Sequence, residues 1–307
     1  MSSHLQLPDG VALRPADSAD ADAMAELMNA AEAPLGGDAD SSAEDVRHHW
    51  NRTADNKTWL AERDEMLVGS LETFAHEEGY LIADLYVHPE LQATTLAASL
   101  VEVSENDARS RGLASIRNAV LENDATATAL LEREGYAPVR HFYRMIRELD
   151  GDLPQPEWPA GFELVPFELE RDIDAVHAAI EEAFENEWAH VPETDEAFRE
   201  RTPKRGGYAP ELWVVVRDGD EVAAVTMNDA KRYGMGWIAT VAVRRAWRKR
   251  GLGLAMLYES FRRFRERGET VVGLGVDAQN STGATRLYER AGMRRAWAAT
   301  VYEKELT

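Results

Sequence analysis

No cysteine occurs among the 307 residues, which excludes a disulfide framework, a cysteine nucleophile and every structural zinc site built on thiolates. The fold must stand on packing alone, and no metal is expected. Long apolar runs are missing too. No stretch approaches the roughly 18 apolar residues of a membrane span, and the opening Met1-Ser2-Ser3-His4-Leu5-Gln6-Leu7-Pro8 has neither the basic start nor the apolar middle of a signal peptide. The expectation is a cytoplasmic protein with no membrane partner. Basic charge is scarce: 34 Lys and Arg face 55 Asp and Glu, leaving −21 at pH 7. Phosphate neutralisation needs clustered cations, so no nucleic-acid partner is expected. Residues 1–150 carry 12 basic against 28 acidic side chains, residues 151–307 carry 22 against 27, and the deficit therefore falls mainly on the first half.

What is present is ordinary for a water-soluble chain, 44% hydrophobic and 29% charged, at about two domain lengths. It is also written twice. Gly10-Val11-Ala12-Leu13-Arg14-Pro15 and Gly161-Phe162-Glu163-Leu164-Val165-Pro166 share a glycine, a short alternating strand and a proline, and an acidic, Ala-rich helical stretch follows each. Trp59-Leu60-Ala61-Glu62-Arg63-Asp64 is mirrored by Trp213-Val214-Val215-Val216-Arg217-Asp218, and Glu134-Gly135-Tyr136 by Ala291-Gly292-Met293. Preserved order with slowly drifting offset indicates duplication. Residues 149–160, with three prolines and several acids, suit an extended connector rather than packed structure. The boundary is placed near Pro154, giving domains 1–153 and 154–307. Each copy reads strand, one or two helices, three strands, helix, strand, helix, strand, which predicts an α/β fold with a mixed sheet covered by helices.

The chemistry gathers in the second copy. Trp237 to Val243 is a β-prone run, Arg248-Lys249-Arg250-Gly251-Leu252-Gly253 follows, and then a helix carries Leu254, Leu257, Tyr258 and Phe261. In a strand, glycine-rich turn, helix arrangement the backbone N–H groups converge, and the helix start adds about half a positive charge. Arg244, Arg245, Arg248, Lys249 and Arg250 crowd within seven positions, so an anion has a place to dock. A tight turn in a basic loop would use the same glycines. The continuation is more specific: a strand over residues 270–276, then Asn280, then a helix with Ala284, Tyr288 and Gly292. Gly273 and Gly275 share one face of that strand, which fits close approach of a backbone or ligand, or a bulge. The basic stretch Arg262, Arg263, Arg265 and Arg267 reads as a solvated helix face.

These residues resemble the GNAT superfamily of acetyl-CoA-dependent N-acetyltransferases, best over residues 235–295. The resemblance implies two tandem GNAT-like domains, each a mixed, mostly antiparallel sheet flanked by helices. It implies that Arg248, Lys249, Arg250, Gly251, Leu252 and Gly253 bind the pyrophosphate of acetyl-CoA, with Leu254 and Ala255 opening the helix. It implies that backbone groups of Val241, Ala242 and Val243 pair with the pantetheine arm, one N–H steadying the thioester carbonyl. Asn280 would contact the cofactor, and the other reading is an N-cap of the following helix, which does not exclude that contact. Tyr288 would protonate the departing thiolate, and the alternative is a core aromatic. A phenol of pKa about 10 stays protonated at pH 7 and suits a thiol of pKa about 8.5. An amine of pKa about 10.4 must lose its proton, at about 4 to 5 kcal/mol, so a base is expected. Glu187 and His190, in the stretch after the first helix of the copy, are the candidates, and solvated loop charges are the other reading of each.

Sliding the motif back places Gln92, Thr95 and Ala97 opposite Arg248, Gly251 and Gly253, and Leu131 opposite Tyr288, while Asn123 matches Asn280. The first copy is therefore expected to be a degenerate, non-catalytic domain. The tandem arrangement also resembles the mycothiol synthases, a branch that acetylates cysteinyl-glucosamine-inositol. That branch carries an acidic residue where Trp237 stands here. The leading expectation is transfer of acetyl to a primary amine of a small molecule by direct attack in a ternary complex. Acetylation of cysteinyl-glucosamine-inositol, acetylation of protein amines, and a non-catalytic acetyl-CoA-binding module are the alternatives.

Overall fold

The computed structural model describes residues 7–36, 41–50, 56–92, 94–280 and 282–306; residues 1–6 of the opening segment, read above for a targeting signal, lie outside them. The first half runs β1 (Ala12–Pro15), α1 (Ala21–Glu32), α2 (Ala43–Trp50), β2 (Lys57–Arg63), β3 (Met66–Ala75), β4 (Tyr80–Val87), α3 (Leu96–Ser110), β5 (Ser115–Leu121), α4 (Ala125–Arg133) and β6 (Ala137–Glu148). The second repeats the order: β7 (Glu163–Val165), α5 (Leu169–Phe184), α6 (Asp195–Arg201), β8 (Val214–Asp218), β9 (Glu221–Arg232), β10 (Met235–Val243), α7 (Leu252–Glu266), β11 (Val271–Asp277), α8 (Ala284–Arg290) and β12 (Arg294–Glu305). The duplicated order expected from sequence is the order of the fold.

Two compact units result, one made of Met1–Phe142 with Ala298–Thr307, the other of Tyr143–Trp297. In the first, the strand order is β1-β2-β3-β4-β5-β12, antiparallel except between β4 and β5. In the second it is β6-β11-β10-β9-β8-β7, with β10 and β11 parallel. These units differ from the halves 1–153 and 154–307, because each copy gives its last strand away. The far end of β12 pairs with β5, from Ala299 opposite Leu121 to Glu305 opposite Ser115. The far end of β6, from Tyr143 on, belongs with β11.

Residues 149–160 also depart from the free connector expected of them. They form no helix or strand, but Leu149 and Leu153 are buried with Phe261, Phe264 and Val272, and Trp158 packs beside Trp247 and Leu252. Three apolar side chains outweigh the extending effect of the prolines, since each gains about 1.5–3 kcal/mol on full burial.

The sheet of the second unit is covered on both faces, which is why β8 and β9 read as nearly unbroken apolar runs. Val215, Val225 and Met227 meet Ile173, Val176 and Ala179 of α5, while Val214, Val216 and Ala224 meet Leu252 and Met256 of α7. Of the arginines expected on a solvated face, Arg265 and Arg267 are exposed, Arg262 and Arg263 hold buried Glu259, and Arg267, just past α7, pairs with Glu211. Arg263 also donates to the carbonyl of Trp213, and Arg265 to that of Gly151.

Asp172 fastens the start of α5 to β8. Its carboxylate accepts from the Glu168 N–H, from Arg171 and from Arg217, all at 2.7–2.8 Å. Burial pushes its pKa up, and these hydrogen bonds overcome burial and bring it down to about 2. A depressed carboxylate stabilises the fold above its unfolded pKa of about 4 and loses that contribution as pH falls towards 2. Asp172→Ala is expected to cost about 3 kcal/mol in urea unfolding at pH 7, since it strands Arg217. The difference from wild type should shrink on titration from pH 5 to pH 2.

Candidate active site

Strands β10 and β11 begin together and then part. Among the described residues they pair at Gly236 with Val272 and at Trp237 with Gly273, while β10 stays on β9 through Val243 and is bulged between Ile238 and Thr240. Beyond Trp237 the edge of β10 that faces β11 therefore carries backbone groups with no ladder partner. Val241, Ala242 and Val243, expected to meet an extended ligand arm, lie in this open stretch. In the first unit β4 and β5 hold four pairs, Tyr80–Ser115 to Ala83–Asn118, and no register shift interrupts β3 and β4. The opening there is shorter.

Gly273 has a different cause from the one expected, while a Cβ on Gly275 would meet only the Trp237 ring, at 3.9 Å. A Cβ on Gly273 would lie 2.7 Å from the Met235 sulfur and 3.1 Å from the Trp237 ring. Side-chain packing claims that face, and the bulge belongs to β10.

The turn after β10 ends in two left-handed residues, Lys249 at φ 63° and Gly251 at φ 93°. Gly251 is the N-cap of α7 and no side chain caps the helix. Among the described residues the N–H groups of Leu252, Gly253 and Leu254 meet no acceptor, and the first bond of the helix runs from the Ala255 N–H to the Gly251 carbonyl at 3.2 Å. Gly253 faces α8, where a Cβ would come within 2.9 Å of Leu287. The result is an anion-sized cradle of free N–H donors at a helix start.

The five clustered cations divide. Arg244 and Arg245 pair with Glu182 and Glu185 at the end of α5, and the Arg245 N–H also donates to Glu182 at 2.9 Å. Arg248 donates to the carbonyls of Val243 and Ala183, both at 3.0 Å. It struts the turn rather than facing an anion directly. Lys249 and Arg250 have no carboxylate partner among the described residues, so they and the backbone carry the positive field. Glu182 was missed in the sequence; its place one turn before Glu185, opposite an Arg-Arg pair, was the available signal.

Glu187, Asn280 and Tyr288 come together. The Asn280 amide donates to the Glu187 carboxylate at 2.7 Å, and its carbonyl oxygen accepts from the Thr282 N–H at 2.8 Å. Asn280 is not the N-cap of α8, a position held by Gly283. Tyr288 is buried, and its hydroxyl has no hydrogen-bond partner among the described residues. Burial first, and the negative charge of Glu187 second, hold the phenol well above its ordinary pKa. His190 turns elsewhere: its Nε2 lies 3.1 Å from Glu181, whose other oxygen is 3.5 Å from buried His177. Glu181, four residues after His177, is the second residue missed.

The first unit lacks the equivalents. Thr95 caps α3 at φ −78°, and the Leu96 N–H already meets the Thr94 hydroxyl at 3.3 Å. Leu131 is a core side chain, and Asn123 donates to the Leu35 carbonyl.

Comparison with known proteins bears on the family and the fold. The acetyltransferase (GNAT) family profile matches residues 23–136 and 173–293. The mycothiol acetyltransferase of Pseudarthrobacter chlorophenolicus is 28% identical over 70% of this chain and 67% of its own. The crystal structure of a GCN5-related N-acetyltransferase from Sphaerobacter thermophilus superposes with a TM-score of 0.87 at 32% identity, covering 98% of this chain and 97% of that one. A tandem GNAT protein from the clavulanic acid biosynthesis pathway shares the fold, with a TM-score of 0.73 at 16% identity over 96% and 98%. With two matched regions spanning most of its length, the chain belongs to the GNAT acetyltransferases, as an acetyl-CoA-dependent N-acetyltransferase of tandem-domain build.

Proposed function

We propose that the second unit acetylates the primary amine of a small molecule by direct attack within a ternary complex, and that the first unit does no chemistry. The observation that carries this reading is the grouping of Glu187, Asn280 and buried Tyr288 in the same unit as the open β10 edge and the uncapped start of α7. Acetyl-CoA supplies an acetyl thioester, whose acetyl carbon gains a bond to the amine nitrogen as its bond to sulfur breaks. The chain contributes three things. Free N–H groups of Leu252, Gly253 and Leu254, with Lys249 and Arg250, hold the pyrophosphate. Backbone donors of β10 align the pantetheine arm and polarise the carbonyl oxygen. Glu187 takes one proton from the ammonium and passes it to solvent, the attacking nitrogen loses its second proton by the same route as the amide forms, and Tyr288 gives its proton to the sulfur and recovers one from solvent, leaving one proton released overall. No protein nucleophile is needed, in keeping with the lack of cysteine.

The relatives named mycothiol acetyltransferase support a second reading, in which cysteinyl-glucosamine-inositol is the amine. Trp237, buried over Gly273 where that branch has an acid, weighs against it. The test is incubation with acetyl-CoA and a library of aminoglycosides, polyamines, amino acids, cysteinyl-glucosamine-inositol and peptide N-termini, with products read by mass spectrometry. An acetylated small amine supports the reading. Products confined to peptides, or none at all, sink it.

Calorimetric titration is expected to give one acetyl-CoA per chain. Thr95 and the occupied Leu96 N–H leave the first unit a poor phosphate site, and its −16 charge over residues 1–150 repels the ligand. Two sites of similar affinity would contradict this.

A further inference from the structure

We propose that Asn280 is a positioning residue for Glu187: it clamps the loop after α5 to the loop before α8 and so aims the carboxylate that takes the amine proton. The inference rests on the reading of Glu187 as base and gives Asn280 a role other than cofactor contact.

The amide of Asn280 has one possible orientation. Its oxygen receives the Thr282 N–H at 2.8 Å and the Thr282 hydroxyl. A flipped amide would set an NH2 group against a backbone N–H, two donors facing each other. The NH2 is thereby directed at Glu187, 2.7 Å away across 93 residues of sequence. Among the described residues Glu187 is otherwise held through its backbone, whose N–H donates to the Phe184 carbonyl at 2.8 Å just past the end of α5. No cation pairs with its carboxylate among the described residues. A neutral amide orients a carboxylate without the full positive charge that would make it a weaker base. Clusters of acid and amide are common on surfaces, but this one adjoins a buried phenol with no hydrogen-bond partner among the described residues, close enough for the charge of Glu187 to act on Tyr288.

The test compares wild type, Asn280→Ala, Glu187→Ala, the double variant, and the exchanged pair Asn280→Asp with Glu187→Gln. Turnover is measured with the amine identified above, and acetyl-CoA affinity by calorimetry. Asn280→Ala should lower kcat about 10- to 100-fold with acetyl-CoA Kd nearly unchanged, as expected of a misaimed catalytic group. The double variant should be no slower than Glu187→Ala alone. The exchanged pair restores a hydrogen bond but moves the carboxylate to position 280, so it should recover the thermal midpoint and remain as slow as Glu187→Ala. A weaker acetyl-CoA Kd with kcat intact would return Asn280 to the cofactor, and multiplying losses in the double variant would also overturn the proposal. Full activity in Glu187→Ala would end it too. A wild-type chain that transfers acetyl to nothing ends the functional reading and this inference together, whereas an active wild type with an unaffected Asn280→Ala ends only the latter.

Discussion

Tyr288→Phe is expected to lower kcat by about 100-fold or more, the span of a lost general acid, while acetyl-CoA Kd stays nearly constant. Phenylalanine fills the same space in the core of the second unit, beside Leu257, Phe261 and Ala291. The hydroxyl it removes has no partner among the described residues, so the thermal midpoint should not fall. Activity and stability thus part company, which a core aromatic could not produce. The pH profile carries the same signature. Burial and the neighbouring Glu187 raise the phenol's pKa, so Tyr288 remains a proton donor throughout the neutral range. Wild-type turnover should rise as the amine deprotonates and show no downturn from Tyr288 below about pH 10. A silent Tyr288→Phe would leave a protein that binds acetyl-CoA without using it.

Gly251→Val should act on the other half of the site. At φ 93° a β-branched residue is strained by about 1–3 kcal/mol, and the turn relieves that strain by moving the N–H groups that follow. Each hydrogen bond to a charged phosphate is worth about 1.5–3 kcal/mol. Losing two predicts acetyl-CoA binding weaker by about 100-fold or more, measured by calorimetry. The rest of α7 keeps its packing through Met256, Leu257, Phe261 and Phe264, so circular dichroism should show a folded chain. Affinity within a few-fold of wild type would mean that the turn is not the phosphate site.

Local chemistry was legible in the sequence because it is written locally. Gly251 announces a left-handed turn, the run from Trp237 to Val243 announces a strand, and the spacing from Asn280 to Tyr288 brings a loop and a helix face together. The repeat was equally plain, and the order of elements followed from it. Partners distant in sequence were not. Nothing near Arg248 says that it will strut the turn against Val243 and Ala183 instead of facing phosphate. Nothing in Gly273 names Trp237 as the ring that lies on it. The prolines of residues 149–160 spoke for an extended connector, and Leu149, Leu153 and Trp158 outweighed them. That Glu187 pairs with Asn280 while His190 turns to Glu181 was not legible either, since both lie on one short loop.

The exchange of final strands bears on how the chain is made. Residues 115–121 leave the ribosome long before residues 299–305, the strand that closes their edge. Ser115 must wait for Glu303, 188 positions later. During synthesis the first unit therefore presents a bare strand, open to wrong neighbours, until residues 299–305 have been made. Contacts so distant in sequence also delay the last step of folding. A chain truncated near residue 297 should accordingly emerge with its amino-terminal sheet unfinished and prone to aggregate, even though every residue lost belongs to the other copy of the repeat.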